Sequence, residues 1–380
     1  MLKQSVLMLA IASISFLGWA NGPRFELENN PDIGQMTLQK VSDLCFVADN
    51  TNAYLQNPEL ASRDKQSVHQ GHVFDQGVTL ARVQRTLQFI CDTYRFDVRN
   101  NQPSRLHDVN FIKQHFDFYR WYPDKTTASH IASKSLNDAK QRMLNDIPSD
   151  QLFITKYYTK RLTASEQKSK QYPQALYALP FDEQGLSKQQ ALAQSNSLTR
   201  FKYTRQQIID GALLANKLAQ PLVWLSEEAL HDVLLQGTGV LDVNGRTRYF
   251  NVHRNNGIEY DYALGKREQQ RYWYFAEVPG IMGYGDRLED KIEVRPHVTF
   301  AGNVTQLGLG KLIMINYQAN GRSTSQMAVL ADTGGAFDNN LFQLDLLVDS
   351  YAGWSDYHEA NKHLPDYAKA WVMLIKQPEK

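Results

Sequence analysis

The residues of this sequence best suited to chemistry lie near its C-terminal end, in Leu330-Ala331-Asp332-Thr333-Gly334-Gly335-Ala336-Phe337 and in Leu344-Asp345-Leu346. An apolar run that delivers an aspartate into a Gly-Gly turn places the carboxylate at a sheet end, where backbone can approach a ligand closely. Asp345, flanked by leucines, invites a different chemistry. If its neighbours are buried, desolvation raises its pKa, and a carboxyl that keeps its proton near neutral pH can act as a general acid. On pattern alone a plainer reading also stands, in which Asp332 caps its turn and Asp345 is a solvated strand residue.

The elements that must position these residues are legible in outline. Residues 36–150 carry apolar residues at helical spacing, as in Val83, Leu87, Ile90 and Tyr94 and again in Phe111, His115, Phe118 and Trp121, which predicts a helical preface. The aromatic density of residues 116–122 within it marks core packing rather than a ligand platform. From Phe153 the texture changes to β-rich runs, residues 153–158 and 248–252, with Asn244-Gly245 and Asn256-Gly257 as hairpin signals. Thr204 with Gln207 three residues on predicts a capped helix, and a second short helix is expected from Ser226 with Glu227 and Glu228 in its first turn. Residues 298–300, 312–317, 327–331 and 370–375 read as strands, the last one buried. No repeat or low-complexity tract interrupts them, so a β-barrel domain is the economical reading.

Composition narrows the function classes. The 380 residues are 42% hydrophobic and 21% charged, which is globular, and the formal charge is +1. No basic stripe speaks for a nucleic-acid partner. Lys3 followed by an apolar run to Ala20, with small Gly18 and Ala20 before Asn21, has the form of a signal peptide over residues 1–20. No cysteine stands near that cleavage point, so neither a lipid attachment signal nor a membrane anchor is expected after processing. Export puts Cys45 and Cys91 in an oxidising compartment, where they either pair or remain two buried thiols. The ten histidines include no pair at metal-ligand helical spacing with a carboxylate, so neither a metal nor another cofactor is expected.

The motifs also resemble a known family. Asp332-Thr333-Gly334-Gly335-Ala336, Leu344-Asp345-Leu346, Ala352-Gly353-Trp354 and Trp371-Val372-Met373-Leu374 are similar to the C-terminal three-aspartate domain of the membrane-bound lytic murein transglycosylase A family. Thr155-Lys156-Tyr157-Tyr158-Thr159, Thr204-Arg205-Gln206-Gln207-Ile208 with Gly211-Ala212-Leu213, Leu222-Val223-Trp224-Leu225, Gln236-Gly237-Thr238-Gly239 and Asn256-Gly257-Ile258-Glu259-Tyr260 follow in the family's order, so that the resemblance covers residues 150–376.

The resemblance implies a mainly β fold with an α-helical N-terminal part: a double-psi β-barrel holding the catalytic aspartate, a second, smaller β-barrel inserted in it, and a glycan groove between them. On that plan residues 21–159 and 275–380 form the first domain and residues 160–274 the insert. Asp345 falls on the catalytic position, with Asp332 beside it. The residues implied to bind substrate are Thr155, Tyr157, Tyr158, Gln236, Gly237, Thr238, Gly239, Asn256, Tyr260, Asn303, Gly334, Gly335 and Trp354. The implied activity is cleavage of peptidoglycan strands in the periplasm, and docking on a cell-wall synthesis or division complex would fit it. Asn303 stands where the family has its third aspartate, Lys156 and Lys160 flank the Tyr-Tyr pair, and the connector after Asn256-Gly257 is short.

Two other classes compete. Asp332-Thr333-Gly334 resembles the Asp-Thr-Gly of aspartic proteases, but that chemistry needs two such aspartates sharing a proton and the chain offers one. A barrel that binds polysaccharide without turnover, as expansin-like double-psi barrels do, is the non-enzyme alternative.

Overall fold

The computed structural model describes residues 22–74 and 77–377; the expected signal peptide lies outside them. Six strands close on themselves. Tyr367–Ile375 pairs with Leu312–Ala319, which pairs with Arg322–Asp332, then in turn Thr299–Ala301, Gln343–Tyr351 and Leu152–Ala164. The ring shuts where Leu152 and Phe153 meet Ala368 and Tyr367. Two of the pairings are parallel, Thr299–Ala301 with Arg322–Asp332 and Gln343–Tyr351 with Leu152–Ala164. The ring's interior is lined by alternate residues of strands such as Met327–Ala331 and Leu312–Ile315, all at most 1% exposed, as the period-2 geometry of strands requires.

Helices from the N-terminal third cover this barrel. Leu80–Arg99 begins at the cap Thr79, whose side chain accepts from Arg82 N, and buries Val83, Leu87, Ile90 and Cys91. Cys91 is joined to Cys45 of the Val41–Gln56 helix by a disulfide, which answers the open question of their state. The helical reading fails in one place. The Phe111 to Trp121 spacing is helical only as far as His115; Phe116–Tyr122 is a strand, paired with Arg24–Glu28 and Tyr367–Ile375. Phe116, Phe118 and Trp121 are at most 2% exposed there, so the aromatic run is core as expected. Its β-branch-free aromatics fit a pleated buried surface as well as a helix face, and tertiary pairing decides between them.

The strand Leu152–Ala164 is 13 residues long and outruns the barrel. Its last four residues pair with Thr238–Val243, which continues through an Asn244-Gly245 turn into Arg246–Asn255 and then Trp273–Val278. Both turn residues take positive φ, 55° and 77°, the geometry of a two-residue hairpin. With the ladder of Gln174–Pro180 and Ala219–Leu225, these strands enclose a second core of Leu176, Val223, Leu225, Phe250, Tyr272, Tyr274 and Phe275. Among the described residues no continuous hydrogen-bonded ring closes around this second core, unlike the first. The two expected helices are present: Arg205–Ile209 with a capping box from Thr204 and Gln207, and Glu227–Gln236 capped by Ser226 and ended by left-handed Gly237. Asn256-Gly257 makes no hairpin; it opens an irregular loop held by Asn256.

Removing the cross-link between the two N-terminal helices by Cys45→Ser with Cys91→Ser frees a loop of 46 residues in the unfolded chain. Denaturant melts are expected to show a loss of about 2–4 kcal/mol. An unchanged midpoint would mean that the helices are held by packing alone.

Candidate active site

The two aspartates are brought together by one small residue. Ala301 pairs with Asp332 on one side, in parallel register, and with Asp345 on the other, in antiparallel register. Laterally paired residues project to the same face, so both carboxyls rise on one side of the sheet, two strand spacings or roughly 10 Å apart at their Cα atoms. Leu344 and Leu346 point to the opposite face and are at most 1% exposed, which is why Asp345 between them is turned outward and only half-buried.

Asp345 lacks a partner where it most needs one. Its Oδ1 is buried with no hydrogen-bond partner, an arrangement costly for a carboxylate and tolerable for a neutral carboxyl. Burial pushes its pKa up to about 7, and the charge of Asp332 adds to the rise. Thr155 and Lys156 act in the opposite sense. Neither is free to prevail. The Thr155 hydroxyl donates toward Leu344 O (3.3 Å) and accepts from Gln343 Nε2 (2.7 Å), and Lys156 Nζ is held by Asp366 (2.8 Å) and Pro365 O (3.0 Å).

Asp332 is solvated by the protein instead. Tyr157 Oη donates to its Oδ2 and Thr333 N to its Oδ1, both at 2.8 Å. Burial still pushes its pKa up, to about 6, against the pull of these donors and of Lys291. Tyr157 in turn is held well above its ordinary pKa by burial, then by Asp332, so it remains a hydroxyl donor. The two carboxyls titrate as a pair, and the donors on Asp332 favour placing the first negative charge there, which leaves one carboxylate and one acid in between.

Around the pair the surface is open. Thr333 Oγ1 donates to Gly302 O (2.8 Å), which anchors the turn. Gly334 and Gly335 are exposed, and a Cβ on either would meet nothing within 4 Å. Tyr158 lies on the other face of its strand from Thr155 and Tyr157 and stacks on Tyr357 at 4.5 Å. Trp354, 67% exposed, stacks on His358.

Other expected ligand residues do structural work. Asn303 is 4% exposed and caps the Val304–Leu307 turn through Gln306 N (3.0 Å). Asn256 is 1% exposed, and its amide is consumed by Tyr203 O, Gln270 O and Tyr272 N. Asn256 thus has both polar atoms spent on the backbone, and the Asn303 oxygen is spent on its cap. Gln236 accepts from Lys160 N, Thr238 Oγ1 accepts from Asn251 Nδ2, Gly237 ends a helix and Gly239 packs on Val233. Tyr260 packs against Tyr262, which is 94% exposed, in a separate cleft of about 530 Å³.

A cavity of about 990 Å³ is lined by neither aspartate; it lies between the second core, at His253, Arg254 and Trp273, and the 285–291 segment. Lys291 joins the two regions, since it lines the cavity and acts on Asp332. Sequence reading missed it, as a single lysine in a loop carries no motif. Among the described residues the one set of metal-ligand types with close donor atoms is Cys45, Asp49 and Cys91, and its sulfurs are spent on the disulfide.

Comparison with known proteins now bears on this geometry. Residues 153–270 match the family model described as the MltA specific insert domain. The fold is similar to that of E. coli MltA with bound chitohexaose (TM-score 0.52, 14% identity, 93% of this chain and 95% of that one). It is also similar to a membrane-bound lytic murein transglycosylase from Agrobacterium tumefaciens (0.52, 14%, 93% and 97%) and to MltA from Neisseria gonorrhoeae (0.56, 13%, 94% and 92%). Among curated proteins none matches. The class is thus a barrel of MltA type that carries the MltA insert. Residues 153–270 match the MltA insert family, on a chain whose fold is similar to that of MltA structures.

A pH-dependent stability follows from the buried acid. A carboxyl whose folded pKa lies above its unfolded one binds its proton more tightly when folded, so its contribution is full at low pH and is lost as pH rises from about 4 through about 7. Asp345→Asn should therefore be more stable than the parent at pH 8, by about 1–2 kcal/mol given the open edge of the site, with the gain gone by about pH 4. Denaturant melts at both pH values check this; a variant less stable at pH 8 would show that Asp345 is not strained by its burial.

Proposed function

We propose that this protein is a lytic transglycosylase that cleaves the β-1,4 bond between N-acetylmuramic acid and N-acetylglucosamine in peptidoglycan and leaves a 1,6-anhydromuramic end. The observation that carries the reading is Asp345: a carboxyl with a buried, unpartnered oxygen, a pKa pushed up to about 7, and an open surface beside it.

A hydrolase needs two working carboxyls, one to protonate the leaving oxygen and one to activate water or attack the sugar. Here the second one is engaged. Asp332 is held on both oxygens by Tyr157 and Thr333, which suits a fixed negative charge better than a base. A transglycosylase needs one carboxyl because the C6 hydroxyl of the muramic acid is the nucleophile. Asp345 donates its proton to the glycosidic oxygen as that bond breaks. As carboxylate it then takes the C6 hydroxyl proton while the oxygen bonds to C1, which restores the acid without added water. Asp332 keeps the proton on Asp345 beforehand by repulsion between the two charges.

On this reading Gly334 and Gly335 let the strand approach the acid, Tyr157 and Thr155 fix the floor beneath it, and exposed Trp354 offers an aromatic face to a sugar ring. The structure of E. coli MltA with bound chitohexaose supports a glycan strand as ligand. The six-stranded ring with two parallel pairs is compatible with the double-psi barrel, and the domain limits 160–274 and a periplasmic location complete the proposal.

Incubation of the mature protein with purified sacculi, followed by mass spectrometry, is expected to release anhydromuramyl products. Asp345→Asn should reduce them about 10²–10⁴-fold, and the rate should fall above about pH 7 as Asp345 ionises and below about pH 6 as Asp332 is protonated. Sacculus binding without soluble products would instead identify a polysaccharide-binding barrel.

A further inference from the structure

The hairpin that contributes Lys291 to the cavity is docked on the backbone next to Asp332. Ile281–Met282 pairs with Glu293–Val294, and beyond them Gly283 N donates to Ile292 O and Ile292 N to Tyr284 O, each at 2.8 Å. Tyr284 N then donates to Ala331 O at 2.9 Å. The contact requires glycine: a Cβ on Gly283 would fall 2.7 Å from Ala331 O and 3.5 Å from the Cβ of Asp332. Lys291 Nζ reaches the carbonyl of that same Gly283 at 3.4 Å. A Cβ on Gly285 would lie 2.7 Å from the Lys291 Cα, so the main chain of Lys291 is fixed as tightly as its tip.

The charges facing each group are few. Asp332 meets the Tyr157 hydroxyl, the Thr333 N–H, Lys291 and Asp345. Asp345 meets Thr155, Lys156, Asp332, Tyr157 and Tyr357. Lys291 feels Asp332 and then Asp286, and Asp286 is shared with Lys188 at 3.4 Å. Lys156 is tied to Asp366; Lys291 lines the cavity with its Nζ at Gly283 O, and burial lowers its pKa while Asp332 and Asp286 raise it.

We propose that Lys291 is a positioning residue for the acid, acting through Asp332: its ammonium keeps Asp332 ionised and so leaves the one proton of the pair on Asp345. The proposal rests on the reading of Asp345 as the acid. Two nearby carboxyls with one proton between them place it on the less solvated member. Two neutral donors on Asp332 begin that bias, and a half-buried ammonium, less screened than one in water, enlarges it. Without Lys291 the two carboxyls compete more evenly, and part of the population holds the proton where it cannot reach the glycosidic oxygen.

The test follows the carboxyls themselves. In mature protein labelled with ¹³C at the aspartate side-chain carboxyl, signals assigned with Asp332→Asn and Asp345→Asn are titrated by NMR in the parent, Lys291→Met, Lys291→Gln and Lys291→Arg. In whichever of the Met and Gln variants melts with the parent, the Asp332 midpoint should rise by about half a pH unit or more. The acid limb of muropeptide release should move with it, giving roughly twofold less product at pH 6, and Lys291→Arg should restore both. An unmoved Asp332 midpoint in a folded variant overturns the proposal, including the case where activity falls equally at every pH. Anhydro product that persists in Asp345→Asn would overturn the reading of Asp345 as the acid, and the midpoint comparison would still decide whether Lys291 acts on Asp332.

Discussion

The site depends on the double pairing of Ala301. Because side chains alternate along a strand, a slip of one residue on either side of Thr299–Ala301 would send Asp332 or Asp345 to the face that holds Leu344 and Leu346. That register has unusual support for a strand of three residues. Thr299 is fully buried, and its hydroxyl donates to Arg295 O at 2.8 Å. At the other end Thr333 bonds Gly302 O, and Asn303 caps the turn that follows. Asn303 thus serves the register through its side-chain oxygen.

Holding an acid protonated at neutral pH works against stability, and the surroundings offset it. Phe300, Leu330, Leu344 and Leu346 are at most 1% exposed, and each such side chain contributes about 1.5–3 kcal/mol on burial. The same alternation that packs these side chains inward turns Asp345 to the other face. Core and site are therefore one arrangement, with the leucines on either side of Asp345 packed inward and the carboxyl left at the edge.

Much of this was legible in the sequence. Asp345 between two leucines already implied a carboxyl with buried neighbours, and Asp332 before Gly334-Gly335 implied a strand end. Capping chemistry located the helices at Thr204 and Ser226 because those signals are local. Pairing across the chain was not legible. Phe116–Tyr122 has apolar residues at spacings that satisfy a helix, and only its partners Arg24–Glu28 and Tyr367–Ile375 make it a strand. Asn256 and Asn303 sat in motif blocks, but whether an amide faces solvent or closes a loop depends on what surrounds it. Lys291 had no signal, since its importance comes from the docking of Gly283 on Ala331.

The long strand Leu152–Ala164 connects these levels. Its first half carries Thr155 and Tyr157 beneath the aspartates, and its last four residues form an edge of the second core. Between the halves the register to Gln343–Tyr351 shifts, with Leu347 opposite Tyr157 and Asp349 opposite Tyr158. A bulge there increases local twist, and Thr159 Oγ1 and Ser350 Oγ, 2.5 Å apart, pin the two strands just beyond it. The insert is therefore aimed by continuous backbone rather than by a flexible loop. Tyr157, which donates to Asp332, sits at that bulge, so the backbone that aims the insert also positions a donor of the site.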